Sequence, residues 1–146
     1  MNPGRPIDKL ACCGLVLLLA LGIHIPRGAA GQIVSGGYKV TQTKDLGMQM
    51  RVTMQIRLVN ASEDKIFVTQ AHLRGFLHPG KSEDKPAGVI LEPHGSSEFT
   101  QDFTIAKQEY ELWSRGVRPH LGLRVQVGGG AETTMTISLM QLPGSR

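Results

Sequence analysis

"MQMRVTMQIRLVN", Met48 to Asn60, alternates apolar and polar residues along almost its whole length. Met48, Met50, Val52, Met54, Ile56 and Leu58 fall on one side, and Gln49, Arg51, Thr53, Gln55 and Arg57 fall on the other. Successive strand side chains point to opposite faces, so a period of two predicts a β-strand with one buried and one wet side. A helix is a poor fit, because it would scatter the same apolar residues around its circumference. A strand this long is most simply a central one whose inner row fills the core, with Met48, Met50 and Met54 as flexible gap fillers or, instead, as the lining of an adaptable apolar binding surface. At an edge, its outer backbone would instead accept a strand from a partner.

Working outward, Tyr38, Val40 and Thr43 suggest a first strand after a flexible Gly36-Gly37 pair. Asn60 to Asp64 breaks the alternation with residues whose side chains make turns. Lys65 to Leu77 reads as a third strand, kinked at Gly75. "HPGKSEDKPAG" at 78–88 reads as a polar loop, since Pro79-Gly80 and Pro86 exclude regular structure. Val89 to Leu91 and Ser97 to Ile105 are strands, and His94 to Ser97 is the turn between them. Leu121 to Val127 and Thr133 to Leu142 form the clearest hairpin, joined by "GGGAE". Only Ala106 to Gly116, "AKQEYELWSRG", reads as helical. There Tyr110, Trp113 and Val117 recur at spacings of three and four, and Gly116 is placed to end the helix. The whole predicts an all-β fold: an antiparallel immunoglobulin-like β-sandwich of about seven strands, with one short helical segment near 106–116 capping an end.

The first thirty residues read differently. Arg5 and Lys9 precede an apolar run from Leu10 to Ile25, and Gly28-Ala29-Ala30 offers small residues to a signal peptidase. The expectation is a signal peptide over 1–30, cleaved after Ala30, and one domain over 31–146. The alternative is an uncleaved anchor, although a run of about 16 apolar residues is short against the roughly 20 that cross a bilayer. Lipid attachment is disfavoured, because Cys12 and Cys13 precede the apolar core rather than follow it. No cysteine lies after Gly31, which excludes a disulfide framework, a thiol nucleophile and a cysteine zinc site in that part. Three of the 16 Lys and Arg and one of the 12 Asp and Glu precede Gly31, so the domain is only weakly basic. With no basic stripe, nucleic acid is not an expected partner. The expected location is secreted or periplasmic, with membrane contact only if the leader stays attached.

"RLVNASEDKIFV" and "ILEPHGSSEFTQDFTI" together resemble small exported immunoglobulin-like modules of bacteria and, more faintly, the late-embryogenesis-abundant type 2 domains. The likeness spans Met48 to Ile105. The Asn-Pro-Asn step of the late-embryogenesis type is Asn60-Ala61-Ser62 here, and the Cys, Trp, Cys framework of antibody domains is missing. The resemblance implies a β-sandwich and a non-enzymatic role, and it transfers no site residue.

No constellation in the chain points to catalysis, a metal or a cofactor. His72, His78, His94 and His120 lack the tight pair that a zinc or copper site uses. Glu109 and Glu111, two apart in a helical turn, diverge, whereas a glycosidase pair must converge. The serines lack a nucleophile elbow, and Gly128-Gly129-Gly130 leads into a strand rather than a phosphate-binding helix. Asn60-Ala61-Ser62 matches a glycosylation acceptor. The candidate binding surface is Tyr110, Trp113, Arg115 and Arg118, because Trp, Tyr and Arg are the residue types enriched at binding hot spots. Trp113, the single tryptophan, either plugs the core or anchors a partner. The function expected is a non-catalytic module contacting a protein or envelope component. A carbohydrate or envelope-polymer module using Tyr110 and Trp113 as a stacking platform is the alternative, and an enzyme comes third.

Overall fold

The computed structural model describes residues 32–77 and 82–144. The expected leader therefore lies outside the described residues. Seven strands, β1 (Val34–Asp45), β2 (Gln49–Asn60), β3 (Ile66–Arg74), β4 (Lys85–Leu91), β5 (Ser96–Ala106), β6 (His120–Val127) and β7 (Glu132–Gln141), are joined by one helix, α1 (Lys107–Ser114), between β5 and β6. They form a mixed sheet in the order β4-β3-β6-β7-β1-β2-β5, nearly closed into a barrel.

β2 is interior, as its alternation predicts, with β1 on one side and β5 on the other. Val52, Met54, Ile56 and Leu58 are fully buried, whereas Met48 at the preceding turn is 91% exposed. The inner row fills the core only where the opposite half of the sheet covers it, together with Ile66, Val68, Leu121, Leu123, Ile137 and Leu139. The outer row is polar and cross-paired, as neighbours on one face of a sheet are. Thr53 donates to Asp102 (2.6 Å) and Gln55 to Glu98 (3.0 Å). The β6–β7 hairpin forms as expected, with His120 opposite Ser138 and Gln126 opposite Glu132.

Three expectations need correction. First, the sheet is not wholly antiparallel: β1 runs parallel to β7 over Gly36 to Tyr38 against Leu139 to Gln141. Second, Gly36 and Gly37 are strand residues rather than a flexible lead-in, and they make this pairing possible. A methyl on Gly36 would sit 2.8 Å from Leu139 Cδ2 and 3.1 Å from Leu58 Cδ2. Gly36→Ala should therefore overpack the join and cost about 1–3 kcal/mol, measurable as a lower denaturant midpoint. Third, β4 begins at Lys85, so Pro86 lies inside a strand. β4 is an edge strand, where a residue without an N–H is tolerated.

Asn60 pins one pole. Its amide Nδ2 donates to the carbonyls of Asp64 (2.7 Å), Glu92 (3.1 Å) and Leu91 (3.3 Å), and its Oδ1 accepts from Ser62 N (2.9 Å) and Ser62 Oγ (2.8 Å). The chain reverses before β5 through Glu92 to Gly95, two residues earlier than expected, with Gly95 N bonded to Glu92 O. Pro93 and a left-handed His94 (φ 54°) give that turn its type II form. His94 is held there by Glu63, 2.8 Å from Nε2, and by its own N–H on Ser62 O.

A candidate binding pocket beside helix α1

α1 is fastened at both ends. At its start the Lys107 N–H bonds to Met48 O, and Lys107 Nζ meets Asp45 at the β1–β2 turn. That hydrogen bond, with a second from Gly47 N, holds the Asp45 carboxyl below its ordinary range. At its end Gly116 takes φ 92°, with Gly116 N on Trp113 O and Val117 N on Leu112 O. These two bonds define a Schellman motif, which needs a left-handed residue where glycine stands. The expectation that Gly116 ends the helix is met, and the motif turns Val117 and Arg118 back toward the body.

Between these ends the helix presents two buried side chains, Glu109 and Trp113. Glu109 accepts a hydrogen bond from Leu77 N, tying the helix to the segment after β3. Trp113 is 9% exposed and belongs to the core cluster. It packs edge to face between Tyr38 (6.1 Å, 67°) and Tyr110 (5.9 Å, 64°), the arrangement that aromatic quadrupoles favour. Burial, with a smaller contribution from Tyr110, raises the Tyr38 phenol above its ordinary value. Tyr38 thus contributes stability that is fully present below pH ~10 and is lost as pH rises through its folded value. In a Tyr110→Phe protein, absorbance titration of the remaining phenol should give a midpoint still above about 10, because burial is the larger cause.

Beside Trp113 lies a pocket of about 250 Å³, lined by Tyr38, Trp113, Gly116, Val117, Arg118, Leu139, Met140 and Gln141. Of the four residues singled out from sequence, Trp113 and Arg118 meet here. Tyr110 is half-buried behind Trp113, and Arg115 is exposed at the helix end without lining the pocket. Sequence reasoning missed Leu139 and Met140. The signal was present, because Thr134, Thr136 and Ser138 make the outer row of β7 polar, whereas Met140 continues that row with an apolar side chain 59% exposed. Among the described residues Arg118 makes no ion pair and no hydrogen bond.

A second cavity of about 300 Å³ opens between β4 and β5. Of its charged side chains, Glu83 meets Lys85 (2.8 Å) and Asp102 accepts from Thr53, whereas Arg51 makes no ion pair among the described residues. Of the histidines, His72 lies against Asp84 (3.0 Å) and above Gly122, His94 lies in its turn, His120 starts β6, and His78 is outside the described residues. Among the described residues no three His, Cys, Asp or Glu side chains gather where a metal ion would sit. The glycosylation match at Asn60 falls on an amide 1% exposed and fully bonded.

No family model and no curated protein matches the chain. Among solved structures it is similar to the structural-genomics target SoR45, at 9% identity and TM-score 0.44, over 76% of this chain and 86% of that one. A protein from Archaeoglobus fulgidus is similar at 9% identity and TM-score 0.31, over 72% of this chain and 90% of that one. A β-glucosidase involved in saponin metabolism from intestinal bacteria is similar at 11% identity and TM-score 0.32, over 73% of this chain but 16% of that one. At such scores these likenesses carry neither an activity nor a ligand to this chain.

Proposed function

We propose that the protein is a non-catalytic interaction module, exported by its first thirty residues, folded as an immunoglobulin-like sandwich, and contacting a partner protein through the Trp113 pocket. The sandwich reading is supported by the strand order, which divides into β1-β2-β5 and β4-β3-β6-β7 with inner rows meeting in one core. Export is supported by the charged start, apolar run and small-residue step of residues 1–30. No helix among the described residues is long and apolar enough to cross a membrane.

One observation carries the functional reading: the pocket is lined by exposed Met140 and by Arg118, a guanidinium with no protein partner among the described residues. An adaptable apolar rim beside a cation is the chemistry of a protein hot spot. A sugar platform asks instead for an open aromatic face, and Trp113 is enclosed by Tyr38 and Tyr110.

The test is site-directed photocrosslinking in the native cell envelope, with the photoreactive residue at Met140 or, as control, at exposed Thr100 on β5. A discrete adduct from position 140 alone, lost on Arg118→Glu, supports the reading. Identical patterns from both positions, or none from either, count against it.

A further inference from the structure

Accepting the pocket as a binding site, we infer that its ligand is the C-terminal residue of a partner chain: an aliphatic side chain seated against Val117 and Met140 beside the edge of Trp113, with its α-carboxylate on Arg118.

Size comes first. At about 250 Å³ the pocket falls below the roughly 300–1,000 Å³ of sites that enclose small molecules. It suits a single inserted side chain. Behind it stands Trp113 in edge-to-face contact with two tyrosines, and beside it stands a valine fixed by the Schellman turn. Such walls are set before any ligand arrives, which limits the ordering cost of binding.

Charge comes second. Arg118 is exposed and lies on the pocket wall, so a ligand there gains from carrying an anion. A guanidinium offers a planar fork that matches a carboxylate in two parallel hydrogen bonds.

Chain geometry then decides where the carboxylate comes from. In an extended peptide, neighbouring side chains point to opposite faces. When one residue fills the pocket, an Asp or Glu beside it points away from Arg118, and one two residues along is about 6–7 Å farther on. The α-carboxylate of a terminal residue is joined to the same Cα as the inserted side chain. It therefore reaches the wall of the pocket that residue occupies.

The full chain, labelled at the methionine methyls and the Trp113 indole, is titrated by NMR with acetyl-Ala-Ala-Leu, with its C-terminal amide and with acetate. The expected result is a saturable shift of Met140 and Trp113 with the peptide acid, at least about tenfold weaker binding of the amide, a difference of about 1.4 kcal/mol, and no comparable shift with acetate. Arg118→Gln should bring acid and amide to equal, weak affinity while the spectrum stays that of the folded protein. Equal affinity for acid and amide in the native protein overturns the inference, as does a shift with acetate matching the peptide's, or no saturable shift with any probe. An adduct at Met140 alongside equal acid and amide binding would sink the terminal carboxylate and leave the pocket itself standing.

Discussion

Asn60→Ala should destabilise the domain by about 2–4 kcal/mol, a large fraction of the roughly 5–15 kcal/mol that holds such a fold. The expectation follows from what the amide leaves behind. Asn60 lies at the end of β2 and joins three backbone carbonyls from two separate turns, and Leu91 O among them is buried. Removing the donor strands acceptors that water reaches poorly, and an unsatisfied buried group costs more than a bond made between exposed groups returns. Asn60→Asp separates this account from simple loss of packing. It keeps shape and acceptor but sets a carboxyl oxygen against carbonyl oxygens, which raises its folded pKa. Relative to the native protein, the stability of that variant should be highest below about pH 4 and fall as pH rises through the raised value, whereas Asn60→Ala should show no such added slope. Urea midpoints measured across the acid range, at constant m, provide the check.

Trp113→Ala should cost about 3–5 kcal/mol, the range for truncating a large aromatic in a core. The indole fills the space between Tyr38 on β1 and Tyr110 on α1, so its loss unseats the helix from the sheet as well as opening a void. Trp113→Phe keeps an aromatic edge between the two tyrosines and should lose clearly less. Thermal unfolding followed by far-ultraviolet circular dichroism measures both. Near-equal values for Ala and Phe would show that the edge-to-face packing contributes little.

How far the sequence reveals this fold depends on whether each element's signal is local. β2 was legible because its period of two is carried by its own residues, and the β6–β7 hairpin because alternation resumes across a glycine turn. The β1–β7 pair was not legible. Gly36 and Gly37 look flexible in one dimension, and it is Leu139 against Gly36 and Leu142 against Gly37, each about a hundred residues on, that make the absence of a side chain necessary. Pro86 misled for a similar reason, because its tolerance depends on β4 being at an edge, which is a property of the sheet. The site was legible in part. Aromatic and cationic residue types drew attention to Trp113 and Arg118, but the opposite wall comes from β7, and nothing near Trp113 in sequence announces Leu139 or Met140. Arg115 and Arg118 are equivalent by residue type. The Schellman turn at Gly116 separates them, leaving Arg115 outside the pocket and bringing Arg118 to its wall.

The parallel β1–β7 pair also governs how the domain would meet a mechanical pull. β1 enters the pair at Gly36 and β7 leaves it at Gln141, both running the same way. Tension applied between Ile33 and Leu142 therefore drags the two strands past each other along their length. Their hydrogen bonds then bear the force in shear and rupture together, whereas a hairpin such as β6–β7, drawn apart at its open end, would unzip one rung at a time. A domain tethered at those two points would stay rigid up to a threshold and then yield abruptly, and the width of the Gly36 and Gly37 backbone, bare of side chains, sets how closely the two strands can grip.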